Sequence, residues 1–163
     1  MPDWDDQGKQ YSAFIEAQLK AENERRDSVN SRAATALTGS AGLVTLVLAV
    51  FTVLVGKEFK LSGNAKLFLA VALIALLVAA LCAVVAGIPW TSTATKPKTL
   101  HWFRTSRWGD TEVTARGMTA YCNAMSVERL RPGTNVKFYF LVAAHVCQAI
   151  AIAGLAVCTL VVV

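Results

Sequence analysis

From Ala33 to Val55 the chain runs for twenty-three residues without a charge or a proline. This stretch most restricts the folds available. A hydrocarbon core about 30 Å thick is crossed by about 20 apolar residues in a helix. A soluble core helix of that length would show a polar face within four turns. The run therefore reads as a membrane span. Its first half carries Thr35, Thr38, Gly39, Ser40 and Gly42, and its second half is Leu, Val and Phe. Thr38 and Gly42 are four residues apart, as are Thr35 and Gly39. Small residues at that spacing let helices approach closely in lipid, so Thr38 and Gly42 are candidates for a packed or pore-facing surface. Alternatively, the hydroxyls simply bond back to their own helix.

Two further runs repeat the signal. Leu67 to Ile88 is a second span, closed by Pro89, which cannot continue the helix, and by Trp90, which suits the headgroup level. Ala75, Ala79, Ala83 and Gly87 recur every four residues along it, a ridge of small side chains for helix packing. Phe138 to Val163 is a third span. It holds His145 and Gln148, three apart and on one face. His145 lies about 10 Å along the helix, at a depth where ionisable groups face protein or a water-filled cavity; it could also be a neutral ring bonded to a neighbouring helix. Composition agrees: 55% of the 163 residues are hydrophobic and 17% charged, against about 45–50% and about 25% in soluble domains. The expected fold is an all-α membrane protein forming one membrane domain. It has three transmembrane helices plus N-terminal and inter-span cytoplasmic helices.

The polar sections are short. Residues 1–32 form a helix that Asp5 or Asp6 can cap, with Tyr11, Phe14, Ile15 and Leu19 at helical spacing. Glu22 and Arg26 form an i,i+4 pair on its exposed side, and Glu24, Arg25, Arg26 and Asp27 a solvated face. Nothing stops this helix before the first span, so the two can form one rod. Residues 56–66 are a turn-rich connection. In the 91–137 segment, Thr91 to Asp110 reads as a basic loop with interleaved aromatics. A helix follows over about 111–130, capped by Asp110 or Thr111, with Val113, Gly117, Tyr121, Ala124 and Met125 roughly on one face. Pro132-Gly133 is expected to break the chain before the last span. MPDWDDQGKQ lacks the basic start of a cleavable signal peptide, and none is expected. The four cysteines, Cys82, Cys122, Cys147 and Cys158, form no close pair and read as buried thiols.

Basic residues set the orientation. Residues 1–32 hold five Lys or Arg, the short connection three and the 91–137 segment eight. Cytoplasmic loops carry the excess of Lys and Arg. The N-terminus and the 91–137 segment are therefore assigned to the cytoplasm, and Val163 to the outside. The first section has five basic against seven acidic residues, the 91–137 segment eight against three. Two helical segments of opposite charge can dock on each other. The basic segment can instead lie on anionic lipid or bind a phosphate ligand. No phosphate-cradling GxxxxGK[ST] is present, nor GxGxxG, HExxH or GxSxG. The only histidines, His101 and His145, fall in different compartments on this topology. No catalytic constellation can be assembled, so an enzyme is not expected, and no metal or cofactor either.

The order of elements carries a resemblance. A polar helix enters the first span through VNSRAATAL, a short connection follows, and Pro89 closes the second span. A basic Trp-containing segment then leads through ERLRPGTNVKFYFLVAA into the third. Asn30 to Ala36, Pro89, Trp102 to Asp110, and Asn135 to Lys137 carry the likeness, which covers most of the chain. This layout resembles the small membrane effectors of bacterial Pycsar anti-phage systems. It is also similar to their relatives, often labelled integral membrane plasmid transfer proteins in actinobacteria. The resemblance implies an effector in the bacterial inner membrane that disrupts membrane integrity when a cyclic pyrimidine nucleotide, cUMP or cCMP, is made after infection. It implies a homo-oligomer in the lipid bilayer and no DNA or RNA partner. On that reading Arg104, Arg107, Trp108, Arg116 and Arg129 supply phosphate pairing and base stacking; the same residues would also serve as headgroup anchors. The chain departs from a simple sensor in having no recognisable cyclic-nucleotide-binding domain, so the ligand would bind the cytoplasmic helices directly, between subunits. The competing reading is a structural or accessory membrane protein, for example one in plasmid transfer. A small transporter subunit is weaker, because three spans are few and no midplane acid is present.

Overall fold

The computed structural model describes residues 6, 8–55, 63–89 and 96–162. Among them lie four helices and no strand: α1 (Lys9–Val55), α2 (Gly63–Gly87), α3 (Pro97–Ser106) and α4 (Glu112–Val162). Three of these, α1, α2 and α4, are long and apolar enough to cross a membrane. The fold is all-α with three candidate spans, the framework of a multi-pass membrane protein. Asp5, Trp90 and the 56–62 part of the connection lie outside the described residues.

α1 is one rod from the polar section into the first span, 47 residues in all. It begins after Gly8, whose φ of +74° suits a residue without Cβ. The Gly8 carbonyl accepts from the Ser12 N–H at 2.9 Å. Asp6 does not cap this helix; its carboxylate accepts from Lys9 Nζ. α3 corrects the expected loop. Pro97 sits in its first turn with φ already preset, and the Lys96 carbonyl accepts from Thr99 and Leu100. No breaker follows before Gly109. α4 opens as expected at Thr111, whose hydroxyl accepts from the Thr114 N–H and whose carbonyl accepts from Ala115. It does not stop at Pro132-Gly133. Pro132 lies inside a helix of 51 residues, so the Glu128 carbonyl loses its usual N–H partner. Thr134 bridges the next turn through a hydroxyl bond to the Leu130 carbonyl at 3.1 Å. A single proline penalty of about 3 kcal/mol is offset by the long helix on either side and by the tertiary contacts described below.

The chain divides into two compact units. Unit 1 is Met1–Ser28 with Pro89–Asn135; unit 2 is Val29–Ile88 with Val136–Val163. Within each, the inward residues alternate at steps of three and four. In unit 1 they include Ser12, Ile15, Leu19, Glu22 and Arg26 on α1, and Val113, Arg116, Ala120, Asn123, Val127 and Leu130 on α4, with Gln18, Met118, Cys122, Met125 and Ser126 half-buried beside them. In unit 2 they include Val29, Ala33, Ala36, Ser40 and Val47 on α1, Ala72, Leu76, Ala79, Ala83 and Ala86 on α2, and Lys137, Leu141, Ala144, Gln148 and Ala151 on α4. An average step of 3.5 is the repeat of helices that pack side by side over long distances.

This repeat explains where the expected ridges fall. Four-residue steps turn 400° and drift about 40° each, whereas alternating steps of three and four hold one face. Ala79 and Ala83 are buried, Ala75 is half-buried, and Gly87 is exposed with open space where a Cβ would stand. Likewise Val113 and Met125 are half-buried while Gly117, Tyr121 and Ala124 are exposed. The unit 2 core gathers Val29, Ala33, Ala36, Ala83, Ala86, Leu141 and Ala144, with Cys82 against it. Small residues permit close approach here: a Cβ at Gly154 would stand 3.4 Å from Ala72 Cβ and 3.5 Å from the Phe68 carbonyl. Cys158 is buried and donates to the Ala65 carbonyl at 3.4 Å; all four thiols are free.

Candidate functional site

Unit 1 holds a hollow of about 310 Å³ at the α3–α4 turn, lined by Phe103, Arg107, Trp108, Asp110, Ala115, Met118 and Thr119. The local sequence builds it. The α3 helix ends at Ser106, and the Arg107 N–H still reaches the Phe103 carbonyl at 3.3 Å. The turn Arg107-Trp108-Gly109-Asp110 is closed by the Asp110 N–H donating to the Arg107 carbonyl at 3.1 Å. α4 then starts and presents Ala115, Met118 and Thr119 from its first two turns. Arg107 lies over the Trp102 ring at 4.9 Å from its centroid, and its guanidinium is 3.7 Å from the Asp110 carboxylate. Trp102 meets Phe103 with ring centroids 5.6 Å apart. Trp108 is 84% exposed, so a flat indole stands open at the rim. An exposed aromatic face, a guanidinium and a mostly apolar floor can take a ligand with a ring and an anionic group.

The five residues named for ligand recognition do not converge. Arg107 and Trp108 line the hollow. Arg104 is exposed one turn before them and does not line it. Arg116 is an inward position on α4, paired with Glu112. Arg129 is exposed further along the same helix. Phe103, Asp110 and Met118 complete the lining beside Arg107 and Trp108, though the sequence singles out only Asp110, as a helix cap. The signal for them was the short span between Trp102 and Met118 once α3 is read as a helix.

A second hollow in unit 1, of about 480 Å³, runs between α1 and α4 and is lined by Ile15, Gln18, Ala124, Val127, Glu128, Arg131, Pro132 and Asn135. Beside it the acidic and basic segments dock. Arg131 donates to Gln18 Oε1 at 3.2 Å and Arg25 to Asn135 Oδ1 at 2.9 Å. Glu22 is not on an exposed side. It is 7% exposed and faces both Arg25 and Arg131 at 3.9 Å, and its Oε1 accepts no hydrogen bond among the described residues. At the start of unit 1, Lys9 holds the Asp6 carboxyl below the usual carboxylate range, first by hydrogen bonding and then by charge, with a smaller contribution from Arg116.

Within unit 2 the polar residues of the spans divide by role. Gln148 donates to the Ala36 carbonyl at 2.7 Å and to the Ser40 hydroxyl at 2.9 Å. Lys137 is 1% exposed and donates to Asn30 Oδ1 at 2.8 Å. These join α1 to α4. His145 does not reach α1; its Nδ1 donates to the Leu141 carbonyl of its own helix at 2.8 Å. Thr38 is exposed and bonds back to the Ala34 carbonyl at 3.0 Å, and Gly42 is exposed with open space around it. Thr38 and Gly42 therefore lie opposite the face that α1 buries at Ala36 and Ser40.

No family model, curated protein or solved structure matches this chain. Its function is therefore argued from the chain's own chemistry.

Proposed function

We propose that this protein is an effector of the bacterial inner membrane, with its N-terminus in the cytoplasm and its C-terminus outside. It disrupts membrane integrity in response to a cyclic pyrimidine nucleotide, cUMP or cCMP, as part of an anti-phage defence. The observation that carries the reading is the hollow at the α3–α4 turn. An open indole, a guanidinium and an apolar floor meet there, in a chain that also supplies three helices able to cross a membrane. The base stacks on Trp108, the phosphate pairs with Arg107, and Phe103 and Met118 form the floor. Arg104 and Arg129 stand outside the hollow, and a second subunit brings them to the ligand. The helix that lines the hollow is the helix that forms the third span, α4, so ligand occupancy and the membrane share one continuous element. Lipid is the second partner, and copies of the same chain complete the assembly.

Binding to the purified full chain in lipid nanodiscs tests this. Titration with cUMP and cCMP is expected to saturate, and Arg107→Gln and Trp108→Ala are each expected to weaken it at least 10-fold. The absence of saturable binding by either nucleotide would overturn the reading.

A further inference from the structure

Arg107 does not stand alone in the hollow. Of the lining residues only Arg107 and Asp110 are charged, and they face each other. The turn holds them so: its closing bond from the Asp110 N–H to the Arg107 carbonyl sets the two ends of a four-residue turn side by side. We propose that Asp110 is a built-in competitor for the ligand's anionic group, and that it sets the concentration at which the hollow fills. This inference rests on the reading of the hollow as the site where a phosphate meets Arg107.

Three observations support it. First, the pair is loose. At 3.7 Å the Arg107–Asp110 separation exceeds the roughly 2.7–2.9 Å of a charge-assisted hydrogen bond. Second, the pair is partly solvated, with side-chain exposures of 43% for Arg107 and 21% for Asp110. Such a pair shifts an equilibrium by at most roughly fivefold, so an anion with better geometry can displace it. A phosphodiester offers two free oxygens to the planar guanidinium fork, which a carboxylate 3.7 Å away from one nitrogen does not engage fully. Third, Arg107 is steadied independently of Asp110 by the Trp102 ring. When the carboxylate leaves, the guanidinium keeps its place. An anion entering the hollow therefore exchanges partners with Asp110: the guanidinium turns from carboxylate to phosphate, and the carboxylate turns to water. With Asp110 in place the hollow carries no net charge and discriminates against weakly held anions. Without it the hollow is cationic.

The test is a binding titration on the full chain in nanodiscs, with cUMP, cCMP and inorganic phosphate as probes. Asp110→Asn keeps the size of the side chain and removes its charge, and Asp110→Ala removes both. Both variants are expected to bind the cyclic nucleotides up to about fivefold more tightly and to gain measurable affinity for inorganic phosphate. In proteoliposomes they are expected to release dye at as little as about one-fifth of the nucleotide concentration that the parent chain requires. Helix content by circular dichroism confirms that the turn has survived. If Arg107→Gln weakens binding while both Asp110 variants bind equally or more weakly than the parent, Asp110 orients Arg107 instead of competing for it. In that case this inference falls and the ligand reading stands. If Arg107→Gln leaves binding unchanged, the phosphate does not sit on Arg107 and both fall together.

Discussion

The same two helices are held together by different chemistry in the two units. In unit 1, α1 and α4 meet through long polar side chains: Arg131 on Gln18, Arg25 on Asn135, and Glu22 between two guanidiniums at 3.9 Å. A hollow of about 480 Å³ remains between them, and another of about 310 Å³ lies at the α3–α4 turn. In unit 2 they meet through Ala33, Ala36, Leu141 and Ala144, with two side-chain clamps, Lys137–Asn30 and Gln148–Ser40. The difference follows the solvent each composition suits. In water, long charged side chains can hydrate at their ends and tolerate gaps. In lipid no hydrophobic force drives helices together, so association relies on close backbone approach and on hydrogen bonds that lipid cannot offer. Unit 1 therefore tolerates open hollows, whereas α1 and α4 of unit 2 share a core of small side chains.

Substitutions that test this contrast fall in a definite order. The largest effect is expected from filling the unit 2 seam. Ala144 of α4 is fully buried against Ala33 and Ala36 in the unit 2 core, and Ala144→Leu should destabilise by about 3 kcal/mol, the upper end for overpacking. Ala120→Leu at the corresponding inward position of unit 1, where Ala120 is half-buried, should stay under about 1 kcal/mol. Thermal unfolding in detergent reads both; equal losses would erase the contrast. Next comes the buried acid. Arg131→Ala leaves Glu22 facing Arg25 alone and should lower stability by about 2 kcal/mol. Glu22→Leu removes the buried charge altogether and should be close to neutral. The reverse order would mean that Glu22 anchors unit 1 instead of burdening it. Gln148→Leu removes the bonds to Ala36 and Ser40 and should lower stability by about 1 kcal/mol, as interhelical hydrogen bonds in membranes do.

The smallest effect lies at the start of α1. The Asp6 carboxyl is lowered by Lys9, so whatever stability the pair contributes is present above the ordinary carboxylate pKa. It is lost as pH falls through the lowered value. Both groups are solvent-exposed, and Lys9→Gln should return the Asp6 titration, followed by NMR, to the ordinary range without moving the unfolding midpoint. A shift of that midpoint would show that the first turn of α1 matters to unit 1 as a whole.

Much of this architecture was legible in the sequence. The uncharged run from Ala33, the run closed by Pro89 and the run from Phe138 gave three spans, because length and polarity decide that question alone. The single rod of α1 was also legible, and of the three roles open to the basic segment the structure shows contact with the first section, chiefly through Arg131–Gln18, Arg25–Asn135 and Glu22–Arg131. Three features were not. α3 is ten residues long, too short to show a decisive periodicity by itself, and it is specified by Pro97 in its first turn. Pro132 reads locally as a break, yet residues far away in sequence, Gln18 and Arg25, hold both sides of it through Arg131 and Asn135. The four-residue ridge on α2 coincides with the buried face at Ala79 and Ala83 and departs from it at Gly87, because the buried residues follow steps of three and four. That repeat places Ser40, Glu22 and Lys137 inward, which composition would leave outside. The candidate site was half legible: Arg107 and Trp108 are conspicuous, while Asp110 and Met118 join them only once the turn has formed.

The most direct measurement is the membrane potential of cells expressing this chain, with and without cUMP or cCMP, read by a potential-sensitive dye. The account predicts depolarisation only when the nucleotide is present, abolished by Arg107→Gln. An inserted protein that leaves the potential unchanged with either nucleotide would contradict it and favour an accessory membrane role.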